Sequence, residues 1–178
     1  MSLGVYDLPF EGIEVTLIQW VAEALELRHG ESGDSEGKIE LPAYELGHEG
    51  VLDVIRRTRI RLDRVEELQA KARQAKGRIT RARASAELEA KIAYDTAMQQ
   101  NAAKRTQTFV TGAERNADAT LDSLQLKRQA HQLSRMESVA DESFDVIKGC
   151  YWGLDKIRSE LLSMLQVQEN LRAIETLT

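Results

Sequence analysis

Apolar residues recur at helical spacing along most of the chain. From Val65 to Ala86 they stand alternately three and four residues apart, which is the heptad pattern of a coiled-coil seam. The stripe in this part of the sequence comprises Ile55, Leu62, Val65, Leu68, Ala72, Ala75, Ile79, Ala82, Ala86 and Ala93. Because no proline follows Pro42, the pattern predicts one long helix from Glu49 to about Gln107.

A second long helix is predicted after the stretch QTFVTGAERN. Here the β-branched Val110 and Thr111 precede Gly112, and a new helical register opens at Ala113. Its apolar positions are Leu121, Leu124, Leu133, Met136, Ala140, Phe144, Ile147, Cys150, Tyr151, Leu154, Ile157, Leu161, Met164, Leu165, Leu171 and Ile174. So broad a face needs more than one neighbouring helix, which favours a bundle or an oligomer.

The first forty residues have a different character. Apolar residues from Phe10 to Leu25 recur at helical spacing and predict a short amphipathic helix over roughly residues 9–27, with Pro9 suited to its first turn. The alternation of Ile13, Val15 and Leu17 leaves a short strand as the alternative. The following stretch, RHGESGDSEGKIE, is rich in glycine and acidic residues and is predicted to be a linker. We therefore divide the chain into an acidic N-terminal helix with a flexible linker (1–40) and a helical hairpin domain for oligomerisation and binding (41–178).

These patterns predict an all-α fold: a long helical hairpin or coiled-coil bundle with a short N-terminal helix, expected to form a homo-oligomer. A composition that is 42% hydrophobic but only 5% aromatic, with two prolines, is typical of such folds. The single cysteine, Cys150, excludes an internal disulfide and is expected to be a small core residue. With no leader-like start and no membrane span predicted, we expect a soluble, cytoplasmic protein, located in the host cytoplasm if a phage encodes it.

The net charge of −5 conceals a strongly basic middle. Residues 1–50 carry eleven acidic and two basic residues, whereas residues 51–135 carry ten acidic and eighteen basic ones. Within Val54–Arg83 there are eleven basic residues against three acidic ones. Such asymmetry indicates a polyanionic partner. The alternative is that the acidic ends neutralise the basic middle, within one chain or between subunits.

The basic block lies on a helix whose inner seam is made of alanines. The basic residues on the outer face of this helix predict a nucleic-acid-binding surface. Such a surface attracts phosphates but makes no contacts that depend on base sequence. The candidate residues are Lys71, Arg73, Lys76, Arg78, Arg81, Arg83 and Lys91. Gly77 lies among them and predicts a close contact or a local bend, since glycine inside a helix costs about 1 kcal/mol relative to alanine. The alternative interpretation is an arginine-rich coiled-coil flank that pairs with glutamates of a neighbour.

No catalytic or metal-binding motif is apparent in the sequence. Glu45 and His48 have the E-x-x-H spacing of a di-iron ligand pair, but the motif occurs once and is interpreted as a solvated loop. The stretch KGCYWG, around Cys150, is predicted to kink the second long helix or to form a short turn. We therefore expect a non-enzymatic protein without cofactors.

The order of features over residues 41–178 resembles the UvsY-type recombination mediators of phages. The matching stretches are LDRVEELQAKARQAKGRITRARASAELEAKIAYDTAM, a long charged helix ending near a tyrosine, and ERNADATLDSLQLKRQAHQLSRMESVADESFDVIKGCYWGLDKIRSELLSMLQ, which has an apolar end. The resemblance implies an oligomeric accessory protein that binds single-stranded DNA and helps to load a recombinase against a single-strand-binding protein. That family places basic residues just before the tyrosine. Here only Lys91 stands there, and the main cluster lies two to three turns earlier.

Overall fold

The computed structural model describes residues 12–29, 47–103 and 112–175. Three helices cover them: α1 (Ile13–His29), α2 (His48–Ala103) and α3 (Gly112–Glu175). No strand occurs in these three ranges, so the all-α prediction is confirmed and the alternative strand near Val15 is wrong. The predicted start of α1, most of the linker and the end of the first long helix lie outside the described residues.

The helices form two compact units, and α2 and α3 contribute to both. Unit 1 comprises the described residues of Met1–Arg73 and Glu142–Thr178, and unit 2 comprises those of Gln74–Asp141. Within each unit α2 and α3 are antiparallel, because residues later in α2 meet residues earlier in α3. This is the pairing that a helical hairpin requires.

Unit 1 contains three helices. One core cluster joins Val51 of α2 to Leu161 of α3, and both side chains are fully buried. The buried face of α1 consists of Ile13, Leu17 and Ala24. A helix with both a buried face and long apolar neighbours is stabilised mainly by this packing, because isolated helices of its length are marginal in water.

Unit 2 is built on small side chains. Its buried positions are Ala75, Ile79, Ala86, Ala90, Ala97, Ala119, Ser123, Ala130, Leu133 and Ala140. Small residues allow two helix backbones to approach closely, so the predicted alanine seam is confirmed over most of its length. Ala82 and Ala93 are the exceptions and are only half-buried.

Both long helices continue through the two segments where irregularities were predicted. α2 is continuous through Gly77, and a Cβ atom added there would meet nothing within 4 Å, so the predicted close contact is wrong. α3 is likewise continuous through KGCYWG, and the predicted turn there is also wrong.

Some predicted apolar positions are exposed instead of buried. Leu121 is 65% exposed, and Leu171 and Ile174 near the end of α3 are 55% and 59% exposed. In unit 2 the described part of α3 packs on α2 alone, so a broad apolar face cannot be covered on all sides. None of the described helices combines the length and the apolar character that a membrane crossing needs.

Candidate nucleic-acid interface

The seven predicted binding residues are divided between the two units. Lys71 and Arg73 belong to unit 1, and the other five belong to unit 2. All seven lie on α2, but they differ in exposure and in what they contact. The predicted surface is therefore not a uniform row of free cations.

Lys71 is part of an ion-pair network that connects α1 to α2. Its Nζ lies 2.6 Å from Glu67 Oε1, and Glu67 also pairs with Arg64 at 2.6 Å. Arg64 in turn donates a hydrogen bond of 2.5 Å to Glu23 of α1. Hydrogen bonds from Lys71 and then Arg64 lower the pKa of the Glu67 carboxyl, and the bond to Glu23 raises the pKa of Arg64. Lys71 thus has a structural partner in its own chain.

Arg73 is exposed and stacks on an aromatic ring. Its guanidinium carbon lies 5.6 Å from the centre of the Phe144 ring on α3, a cation–π distance. This contact fixes the direction of the side chain and leaves its positive charge uncompensated by a carboxylate in that contact.

In unit 2, Lys76 and Arg83 join α2 to α3. Lys76 Nζ lies 2.9 Å from Asp141 Oδ1. Arg83 donates a hydrogen bond to Glu137 Oε2, and its Nε lies 3.3 Å from Glu87 Oε1. Thr80 donates a further bond of 2.7 Å to Glu137. The charge of these two cations is therefore largely neutralised by the same chain.

Arg81 and Arg78 differ in exposure. The Arg81 side chain is exposed, and its Nε donates a 3.0 Å hydrogen bond to the carbonyl of Gly77 on the same helix. Arg78 is half-buried.

Lys91 lines a groove between α2 and α3 in unit 2. The groove has a volume of about 320 Å³ and is lined by Glu87, Ala90, Lys91, Tyr94, Lys127 and Ala130. Lys127 Nζ lies 4.9 Å from the centre of the Tyr94 ring. The lining combines an aromatic ring, two alanines and one lysine from each helix, and it can hold a flat apolar group next to an anion once Lys127 turns away from the ring face. Glu87 adds one negative charge to the same groove.

Sequence reasoning missed Lys127. This residue lies 36 positions after Lys91, and only the antiparallel register of α2 and α3 brings the two lysines to one groove. The signal in the sequence was Tyr94, the single aromatic residue near the basic block.

Candidate metal and catalytic residues do not assemble in the described ranges. No group of three or more His, Cys, Asp or Glu residues could hold a metal ion there. Cys150 is 1% exposed, which confirms its prediction as a core residue. His48 opens α2, while Glu45 lies outside the described residues.

Comparison with known proteins yields no match to a family model, to a curated protein or to a solved structure.

Proposed function

We propose that this chain is a non-catalytic, oligomeric accessory protein that binds single-stranded DNA, of the kind that helps to load a recombinase. The observation that carries the proposal is the groove in unit 2, which Lys91, Lys127 and Tyr94 line together and where the Lys127 ammonium lies over the Tyr94 ring. We further propose that the chain helps to load a recombinase in competition with a single-strand-binding protein, which a separate experiment can test.

The chemistry of the groove suits an unpaired nucleotide. Aromatic rings stack on bases of any sequence, at about 1–3 kcal/mol per base. Lysines on both sides attract the flanking phosphates, and the counterions that they release make binding weaken as salt rises. A base inside a duplex is already stacked and cannot enter, so the groove favours single strands.

The ion pairs of the basic block limit the affinity of one subunit. Lys71, Lys76 and Arg83 are bound to carboxylates of the same chain, so they add less to the surface potential than their number suggests. Of the candidate residues in unit 2, Arg81 and Lys91 are exposed, and Lys127 of α3 is exposed as well. Binding is then weak per subunit, and repetition of the groove in an oligomer supplies avidity.

Fluorescence anisotropy with a labelled oligonucleotide at low salt tests this site. We expect Lys91→Gln with Lys127→Gln to weaken binding at least about tenfold, because two phosphate contacts are lost. Tyr94→Leu should weaken single-strand binding and leave duplex binding unchanged. The matched control is Lys156→Gln, since Lys156 is a lysine of α3 in unit 1 whose side chain is 78% exposed.

The outcomes separate the site from a general charge effect. Equal losses in the control and in the groove variants would refute the groove as the site. No binding by the wild-type protein at micromolar concentration would refute the function itself. Recombinase loading is tested separately by filament assembly on DNA coated with a single-strand-binding protein, with and without this chain.

A structural coiled-coil adaptor, such as a phage assembly or scaffold component, is the second candidate. Two observations favour it: the basic block is paired within the chain, and large apolar side chains such as Ile18 and Trp152 are 61% and 59% exposed. Pull-down with and without nuclease separates the two functions. An interaction that survives nuclease and depends on residues 1–40 supports the adaptor.

A further inference from the structure

Helix α1 has a second apolar face, opposite the face that it buries within unit 1. Its inner face, with Ile13 and Leu17, is fully buried. The outer face carries Val15, Ile18, Ala22 and Leu25, of which Val15 and Ile18 are 59% and 61% exposed. Scattered apolar residues need no explanation, but a continuous apolar row marks an interaction surface.

The spacing of the outer row is that of a coiled coil. The four residues are separated by three, four and three positions, the a and d pattern of a heptad. Ala22, in the middle of the row, lets a second helix approach closely. The surface therefore fits another helix of similar length.

The charged residues beside this apolar row indicate that the partner helix is α1 of a second copy of the chain. Glu14 and Arg28 lie on the same edge of the row, two heptads apart, with Val21 midway between them. If a second α1 lies antiparallel, Glu14 of each copy faces Arg28 of the other, and Val21 faces Val21. On the opposite edge Gln19 faces Gln19, and Glu26 faces the uncharged Gly12.

Other charged groups of α1 do not oppose this pairing. Glu23 lies outside the row, and its carboxylate is bound to Arg64 of its own chain. The Arg28 side chain lies along Gly153 of α3: a Cβ atom added to Gly153 would lie 3.1 Å from Arg28 Nε. Its guanidinium also neighbours Cys150 of α3, so this side chain must turn outward to meet a partner's Glu14, as its position two heptads after Glu14 on the helix allows.

We propose that α1 is the interface through which two copies of this chain associate, as an antiparallel and two-fold symmetric helix pair. A symmetric pair closes on itself, so this contact alone yields dimers. It names a surface for the oligomerisation assumed above but does not depend on nucleic-acid binding. A parallel pair would set Glu14 against Gln19 and Val21 against Glu26, and it would lose both ion pairs.

Sedimentation equilibrium of the full chain without nucleic acid is the first test. We expect Ile18→Glu to raise the dimer dissociation constant by about tenfold or more, since a charge enters the apolar centre of the interface. Ile60→Glu is the matched control, because Ile60 is also an isoleucine of unit 1 with 61% exposure. Circular dichroism establishes that both variants remain helical.

Disulfide trapping tests the antiparallel arrangement directly, in a Cys150→Ala background. Val15→Cys mixed with Leu25→Cys should cross-link under oxidation, because these residues face each other in the antiparallel pair. Either variant alone should not cross-link, since like positions would then be about 15 Å apart along the axis. Cross-linking of Val15→Cys with itself, or of neither combination, would overturn the proposal, as would a wild-type chain that stays monomeric at high micromolar concentration.

Discussion

Arg83 of α2 donates a hydrogen bond to Glu137 of α3, whose side chain is only 15% exposed. The two residues are 54 positions apart in sequence, so the bond fixes the register of the two helices in unit 2. Thr80 donates to the other oxygen of the same carboxylate. Glu137 therefore serves both as a link between helices and as the counter-charge to a residue of the basic block.

Replacement of Glu137 by glutamine separates these two roles. The amide keeps the shape of the carboxylate but removes its charge, so the unfolding free energy should fall by about 1.5–3 kcal/mol, the range for hydrogen bonds to charged groups. The same change leaves Arg83 uncompensated. If unit 2 binds single-stranded DNA, affinity at low salt should rise in this variant, as measured by anisotropy, with a steeper salt dependence.

The matching control is Asp141→Asn, which releases Lys76 from its partner on α3 in the same way. Both variants should raise affinity if the nucleic-acid proposal holds. Unchanged affinity in both would mean that the released cations do not face the ligand, and this outcome would favour the adaptor.

The spacing of apolar and charged residues predicted those features of the fold that depend only on residues close together in the sequence. The seam from Leu62 to Ala86 is a heptad row, and most of it is buried. The pair of Lys71 with Glu67 follows from i, i+4 spacing, since such residues lie side by side on a helix. Local patterns of this kind need no knowledge of the rest of the fold.

Contacts between the helices could not be predicted in the same way. The neutralisation of Arg83 by Glu137 and the approach of Lys127 to Tyr94 depend on the antiparallel register, which a shift of one turn would change. The sequence therefore predicted the basic block but not which of its charges are paired within the chain. Gly77 was misinterpreted for another reason: a glycine can occur in a helix without a packing partner.

Gly77→Ala should stabilise the protein. The position is helical and an added Cβ atom meets nothing within 4 Å, so alanine gains helix propensity without a clash. We expect the unfolding free energy to rise by up to about 1 kcal/mol, measured by urea denaturation. The matched reverse change is Ala84→Gly, one heptad later on the same exposed face, which should lower it by a similar amount. A destabilising Gly77→Ala would show that the glycine is needed for an unseen contact.

The ion-pair network around Glu67 should make stability depend on acid. Its pKa is lowered in the folded protein by hydrogen bonds from Lys71 and Arg64. A lowered pKa contributes stability that is present above the unfolded value, about 4.3 for glutamate, and that is lost as pH falls through the folded value. The difference in urea midpoint between wild type and Glu67→Gln should therefore shrink as pH falls below 5 toward the folded pKa.

The control for this prediction is Glu66→Gln, because Glu66 is an exposed neighbour without an ion pair among the described residues. Because Glu66→Gln removes a charge but breaks no such ion pair, it measures how much of the pH dependence comes from net charge alone. A difference that persists at the lowest pH would mean that Glu67 stabilises the fold through contacts other than its charge.

The labelling rate of the Cys150 thiol should report how firmly α1 packs on the rest of unit 1. Burial raises the pKa of this thiol, and the neighbouring Arg28 guanidinium opposes that shift in part. Because a protonated, buried thiol reacts slowly, labelling by a disulfide reagent near neutral pH should be on the order of 100-fold slower than in urea. Gly153→Val places methyl groups where Arg28 lies, so it should loosen α1 and speed labelling.

The control is Gly149→Val, which adds the same side chain one turn earlier, where a Cβ atom meets open space. Equal acceleration in both variants would show that helix propensity, and not the contact with Arg28, controls access to the thiol.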